Sequence, residues 1–333
     1  MPRRGENIYK RKDGRWEGRF KFDNVTGKYK YVYAPTYRQV KEKLYELKTR
    51  KTPANDHKKL MSDLCNIWLD YKRHYIKEST YVKYNNIIES HIKPFIGKFY
   101  INELSEYDLQ KYVLYLTSHG NLNGGDLSNK TVRDILTVLS SIFKYSKNAG
   151  FCCNNFHIEK FYPKAEKRQI KVLSSKDRIE LERYLSKSDN PMKIGILLAI
   201  YSGMRIGELC ALKWDNIDLD AGIISVNQTL QRLQDIDNKG KTKILISEPK
   251  SQYSKSIVPI TNFMVEILKS VKPKNNDTFF LTGNRSFTEP KTLENIFKRC
   301  LKECNIQKTN FHTLRHTFAT RCVETGFDIK SLS

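Results

Sequence analysis

At 333 residues, with 39% hydrophobic and 11% aromatic side chains, the chain has room for two or three folded domains with more than one core. Its formal net charge of +23 points to a polyanionic partner, because each Lys or Arg set on a phosphate releases condensed counterions; a solvated lysine-rich surface is the competing reading. A membrane span, a secretory leader and a disulfide scaffold are not expected. The most apolar run, "IGILLAIYSGM", falls short of the roughly 20 residues of a span, "MPRRGENIYKRKDGRW" has no apolar core, and the seven scattered cysteines fit a reducing compartment. A cytoplasmic protein without membrane partners is expected.

The first segment, residues 1–56, is the most basic: residues 1–60 hold 18 Lys and Arg against 7 Asp and Glu. "NIYKR", "RWEGRFKF" and "KYKYVYA" alternate as short strands do, separated by hairpin signals at Asp13-Gly14 and Thr26-Gly27. A helix is expected over "YRQVKEKLYELKTRK". The strands interleave Lys and Arg with Trp16, Phe20, Phe22, Tyr29, Tyr31 and Tyr33. This pattern predicts an apolar packing face and a basic face that could enter a DNA groove, with Arg15, Arg19, Lys21, Lys28 and Lys30 as its contacts. An ordinary α+β domain with a solvated basic face is the competing reading.

Residues 57–160 read as an all-α bundle. Leu60, Leu64, Ile67, Trp68, Tyr71 and Tyr75 keep helical spacing. Further helices are expected from a Ser79 cap to just before Pro94, from a Ser105–Asp108 capping box to Gly120, and from a Ser128 cap to Gly150. The stripe Ile135, Leu139, Ile142 belongs to a core. Residues 161–172, within "KFYPKAEKRQIKV", read as an interdomain linker whose Lys164, Lys167 and Arg168 could follow a DNA backbone.

Residues 161–333 mix α and β without strand–helix–strand alternation. A capping box, "SSKD", opens the first helix. Helices over "MKIGILLAIYSG" and "MRIGELCALKW" follow, then strands over "GIISVNQTL", "TKILISE" and "SKSIVPI". Helices around 261–271, 291–305 and 312–325 close the pattern, the last with an apolar stripe of Leu314, Phe318 and Val323.

Three places in this segment could carry chemistry. Arg205 stands between two apolar stretches, where an unpaired buried charge is costly; Glu208, three residues on, offers either a simple helix ion pair or a brace for a phosphate-gripping arginine. Lys250 lies in a turn between two expected strands. His312 and Arg315, spaced i and i+3, project from one helix face, while His316 and Arg321 are expected to face elsewhere. A zinc site from Cys300, Cys304, His312 and His316 has only seven residues between its Cys and His pairs, against about twelve in a zinc finger. The continuous helix expected there also argues against it.

Taken in order, "GMRIGELCALKW", a turn lysine and "HTLRHTFAT" resemble the tyrosine recombinase family, in particular integrases of phages and conjugative elements. The resemblance spans the chain. It implies an arm-type DNA-binding domain over 1–56 with a three-stranded sheet, a helical core-binding domain over 57–160 and a mixed α/β catalytic domain over 161–333. It also implies Arg205, Lys250, His312 and Arg315 as catalytic residues, supported by Glu208 and His316. The implied activity is site-specific integration and excision of a mobile element through a 3′-phosphotyrosine, with no cofactor and no metal. Implied partners are double-stranded DNA with core-type and arm-type sites, further copies of the chain in a tetramer, and an excisionase or DNA-bending factor. The implied location is the nucleoid.

The family's attacking tyrosine lies beyond the histidine–arginine motif, whereas the last tyrosine here is Tyr253. The expectation is therefore a C-terminally truncated chain that does not cleave DNA alone, and that regains covalent trapping when a tyrosine-bearing extension is added. Rival readings are a type IB topoisomerase-like enzyme, and a non-catalytic DNA-binding regulator or decayed integrase. The regulator does not account for Arg205, His312 and Arg315 occurring together.

Overall fold

The computed structural model describes residues 7–21, 29–49, 59–121, 125–151, 156–165, 169–238, 240–247 and 256–327. The chain divides into two compact units, Met1–Glu166 and Lys167–Ser333.

The first unit opens with β1 (Ile8–Lys10), β2 (Trp16–Lys21) and β3 (Tyr29–Ala34), an antiparallel sheet with β2 in the middle. Gly14 turns the first hairpin with φ of +85°, a region that glycine enters without a Cβ penalty. Helix α1 (Tyr37–Thr49) packs on one face, burying Val40 and Leu44 with Ile8 and Ala34. Gly18 makes this approach possible: a Cβ there would stand 2.4 Å from Leu44 Cδ1 and 2.6 Å from Val40 Cγ1. Strand side chains alternate, so the register puts Ile8, Gly18, Val32 and Ala34 on the helix side.

Arg19 and Tyr9, Tyr29, Tyr31 and Tyr33 then fall on the outer side, and all four tyrosines are exposed. This corrects the sequence reading, which set the aromatics apart from the basic face. In the backbone register Lys30 pairs with Phe20. Lys21 pairs with Tyr29. The expected Thr26-Gly27 turn, Phe22 and Lys28 lie outside the described residues.

Helices α2 (Met61–Arg73), α3 (Glu78–Ile87), α4 (Lys93–Ile96), α5 (Glu106–His119) and α6 (Asn129–Asn148) enclose a separate core of Leu64, Trp68, Ile92, Leu116, Ile135 and Leu139, among others. Ser105 and Asp108 form the expected capping box, and Ser128 caps α6 through the Thr131 amide. The helix expected to run from a Ser79 cap to Pro94 instead begins at Glu78 and passes through Pro94 to the end of α4. A π-helical turn, Ile88–Ile92, joins α3 to α4 and widens the backbone just before the proline, relieving the clash of its ring with the preceding turn. The buried Tyr112 hydroxyl donates to the His91 carbonyl there at 3.0 Å.

The second unit is built on α8 (Pro191–Ser202), whose residues Ile194 to Ile200 are all buried, as befits a helix apolar on every side. Around it stand α7 (Ser175–Ser186), α9 (Ile206–Ala211), α10 (Asn262–Ser270), α11 (Pro290–Glu303) and α12 (His312–Glu324). Strands β4 (Ile217–Asp218), β5 (Ile223–Val226) and β8 (Ser256–Pro259) form one antiparallel sheet, and β6 (Thr229–Gln234) pairs with β7 (Thr242–Ser247) in a second. The single strand expected over "GIISVNQTL" is thus two. It breaks at Asn227–Gln228, where Asn227 Nδ2 donates to Asn216 Oδ1 at 3.0 Å.

Candidate active site

The site begins where α8 stops. Gly203 ends that helix with φ of +64°, its amide donating to the Ala199 carbonyl at 3.0 Å. A Cβ at this position would meet Phe318 Cδ1 at 2.5 Å, so both conformation and space require glycine. Two residues later Arg205 caps α9. Glu208 Oε2 accepts from the Arg205 amide at 2.8 Å and Oε1 from its Nη1 at 2.7 Å, so one carboxylate holds both backbone and guanidinium. The Arg205 side chain is 57% exposed and that of Glu208 only 14%. The sequence reading expected a buried arginine; the apolar stretches around it instead leave the guanidinium in solvent at a helix start.

Gly207 sets how closely α9 lies on β6. A Cβ there would stand 2.6 Å from the Leu230 carbonyl oxygen and 2.7 Å from Thr229 Oγ1.

The other half of the site lies on α12. His312 is its first residue, and Arg315 is one turn further. Arg315 Nη1 donates to the Gly203 carbonyl at 2.8 Å. The tight turn that delivers Arg205 is therefore also the anchor of Arg315, and "SGMR" and "HTLR", far apart in sequence, meet at one loop.

The electrostatics follow from this crowding. Burial holds the half-buried Arg315 guanidinium below its usual range, neighbouring Arg205 adds to the effect, and Glu208 opposes it. Burial also lowers the His312 imidazole, followed by the influence of His316, Arg315 and Arg205. With Glu208 paired to Arg205 and Arg315 bound only to a backbone carbonyl, a net unit of positive charge remains at the loop, which an anion would neutralise. Two planar guanidinium forks suit the paired oxygens of a phosphate.

His316 does not face away, contrary to the expectation from the sequence: four residues on from His312, it shares that helix face. Its ring meets that of His312 edge-on, with centroids 4.6 Å apart. Arg321 does leave this face: its Nη1 lies 3.7 Å from Glu182, a carboxylate that also accepts from Arg178 at 2.7 Å, and its guanidinium lies over Tyr201. The buried side of α12 is not the expected Leu314–Phe318–Val323 stripe but Thr313, Leu314 and Thr317, with Val323 exposed. Thr317 Oγ1 accepts from the buried Leu173 amide at 2.9 Å and donates to the Thr313 carbonyl at 2.9 Å. Threonine fits at 317 because its hydroxyl serves backbone groups that a leucine could not.

Lys250 lies outside the described residues, between the end of β7 and the start of β8, as do Lys167 and Arg168. Lys164 is exposed, and its carbonyl accepts from Asn129 Nδ2 at 3.2 Å. Arg15 is paired with Asp13 at 2.8 Å, while Arg19 stacks over Tyr9 and Tyr29. Among the described residues, no three His, Cys, Asp or Glu side chains gather as a metal-binding group. Sequence reasoning missed Gly203, Gly207 and Thr317. The glycines flanking Arg205 in "SGMRIGE" were the available signal, since each sits where a backbone must come close.

Comparison with known proteins gives the same answer from a different direction. The phage integrase family profile matches residues 169–333, and a phage integrase N-terminal SAM-like domain matches residues 60–117. A tyrosine recombinase XerC-like protein of Caldanaerobacter subterraneus subsp. tengcongensis is 26% identical over 306 residues, covering 82% of this chain and 74% of its own. Tyrosine recombinase XerD of Listeria innocua is 31% identical over 215 residues, covering 62% and 66%. Among solved structures, the Tn1549 transposon integrase in complex with a circular intermediate DNA superposes with a TM-score of 0.64 at 20% identity, covering 81% of this chain and 89% of that one. A lambda integrase dimer bound to a core site gives 0.58 at 17% identity, covering 100% and 93%. These two likenesses establish the fold. With family profiles over both units and an arginine–histidine site assembled from "GMRIGE" and "HTLRHTFAT", the chain belongs to the tyrosine recombinase, or phage integrase, family of DNA strand-transferring enzymes.

Proposed function

We propose that this chain is a site-specific DNA recombinase that integrates and excises a mobile element, using Arg205, Arg315, His312 and Lys250 on a scissile phosphate. The observation that carries this reading is the Arg315–Gly203 hydrogen bond, which ties the second arginine to the turn presenting the first. In strand cleavage a tyrosine hydroxyl attacks phosphorus, forming the 3′-phosphotyrosine as the bond to the 5′-oxygen breaks. The phosphorane in between carries extra negative charge, which two fixed guanidinium forks stabilise more than they stabilise the starting diester. Glu208 keeps Arg205 aimed without leaving the water-exposed site. His312, its imidazole lowered first by burial and then by its neighbours, hydrogen-bonds the phosphate or passes a proton. Lys250 protonates the departing 5′-oxygen. The phosphotyrosine conserves the bond energy, and a new 5′-hydroxyl reverses the step.

In this reading residues 1–56 bind arm-type DNA, 57–160 grip the core site together with Lys164, Lys167 and Arg168, and 161–333 carry the chemistry. Four copies assemble on paired sites, with an excisionase or bending factor setting direction. A lambda integrase tetramer bound to a Holliday junction shares the fold with a TM-score of 0.57 at 17% identity, which supports this assembly.

The test supplies the attacking oxygen in solution, so that it reads the phosphate clamp independently of which tyrosine attacks. Duplexes selected from a random pool by the chain itself are nicked and treated with hydrogen peroxide as the nucleophile. Scission should fall on one phosphate, and Arg205→Ala or Arg315→Ala should abolish it while the duplex stays bound. No scission on DNA that the protein holds, or scission indifferent to both arginines, would overturn the proposal.

A further inference from the structure

The outer face of the β1–β2–β3 sheet exposes Tyr9, Tyr29, Tyr31 and Tyr33, each between 43% and 48% accessible. The cations beside these rings are not equivalent. Arg11, over the Tyr33 ring, donates to Glu17 at 2.6 Å and so already has a carboxylate. Arg19 has none among the described residues. It stands on the middle strand, directly opposite Tyr31, with its guanidinium carbon 5.3 Å from the Tyr9 ring centre and 5.5 Å from that of Tyr29. Its Nε is buried without a hydrogen-bond partner.

Two aromatic neighbours restrain a side chain that otherwise samples many rotamers, which lowers the entropy lost on binding. With Nε covered, the donors left for an incoming molecule are those of Nη1 and Nη2. That pair matches two adjacent acceptors, and the guanine edge in a DNA major groove presents O6 and N7 in this arrangement. Position within the sheet decides between base and phosphate. A sheet entering the groove brings its middle strand to the floor and its outer strands to the walls, and an arginine held upright between rings does not reach sideways to a wall.

We infer that Arg19 is a specificity-determining residue that reads one guanine of the arm-type site. This rests on the proposed DNA-binding role of the first segment. The other cations of the face then position the sheet on the backbone and carry no sequence information.

The experiment is a selection from a random duplex pool with the full chain and its variants, followed by affinity measurements on the enriched classes. Wild type should enrich two unrelated classes, one with a fixed guanine that depends on residue 19. Arg19→Lys keeps the charge but not the fork, so that guanine should become unselected and affinity for its class should drop about tenfold to a hundredfold. The other class should bind unchanged. If Arg19→Lys enriches the same guanine as wild type, the inference is overturned while the sheet remains a DNA-binding surface. Tyr31→Glu tests that surface itself by placing an anion on the exposed face. If wild type enriches a single class that Tyr31→Glu binds equally well, the sheet does not contact DNA and the underlying reading fails.

Discussion

Replacing Gly207 by alanine probes the dependence of the arginine pair on backbone contact. The added methyl would lie 2.6 Å from the Leu230 carbonyl oxygen, where ordinary contact begins near 3.4 Å, so α9 and β6 must part by 3.4 − 2.6 = 0.8 Å. The obstacle is a strand carbonyl, which cannot rotate aside as a flexible side chain would, and Leu209, Cys210 and Leu230 around it are buried. Overpacking of this kind typically destabilises by 1–3 kcal/mol, and about 2 kcal/mol is expected here. The chemical consequence is larger. Arg205 caps the helix that must move, whereas Arg315 is bound to Gly203, ahead of it in the chain. A displacement of nearly an ångström between two groups that must hold one phosphate lowers the rate by about a hundredfold. Urea denaturation followed by far-ultraviolet circular dichroism gives the stability, and peroxide-driven scission of a nicked duplex gives the rate. A Gly207→Ala protein with wild-type midpoint and scission within twofold of wild type would refute the reasoning.

Thr317→Val keeps shape but leaves the buried Leu173 amide without its acceptor, so stability should fall by about 1–3 kcal/mol and Thr317→Ser should restore most of it in the same denaturation assay. His312 sits below the usual imidazole range near 6.5 because of burial and cationic neighbours. A bound phosphate diester opposes those neighbours, so its pKa should rise and DNA binding should take up a proton and tighten as pH falls below neutrality. Histidine NMR titration with and without duplex checks this, and His312→Gln should remove the pH dependence. His91 is likewise lowered, by burial, with the Gly120 carbonyl partly offsetting the effect. A lowered histidine contributes its stability above the unfolded value and loses it as pH falls through 6.5 towards the folded value, because the unfolded chain takes the proton first. Unfolding free energy measured between pH 7.5 and 5 should show this slope, and His91→Gln should flatten it.

Local signals carried much of the fold. Ser105, Ser128 and Ser174 each cap a helix where the spacing of Ser and its partner predicted one, because capping is decided within four residues. Pro94 misled for the same reason: a rule about local geometry does not foresee a π-helical turn supported by Tyr112 from another helix. Asn227 was read as mid-strand because alternation continues through it, whereas the break serves two sheets whose partners, β7 and β8, lie elsewhere in the chain.

The residue types of the site and their pairing as i and i+3 neighbours are properties of the sequence alone, since helix spacing and charge fix which groups can share a face. The net charge of +23 also pointed from the sequence alone towards a polyanionic partner, because so many uncompensated cations attract phosphate. Only the tertiary structure decided that Arg315 reaches the Gly203 carbonyl and that the tyrosines of the first sheet surround Arg19. Each of these depends on a close approach between segments distant in the chain, permitted by a glycine or fixed by strand register, and no local pattern encodes that distance.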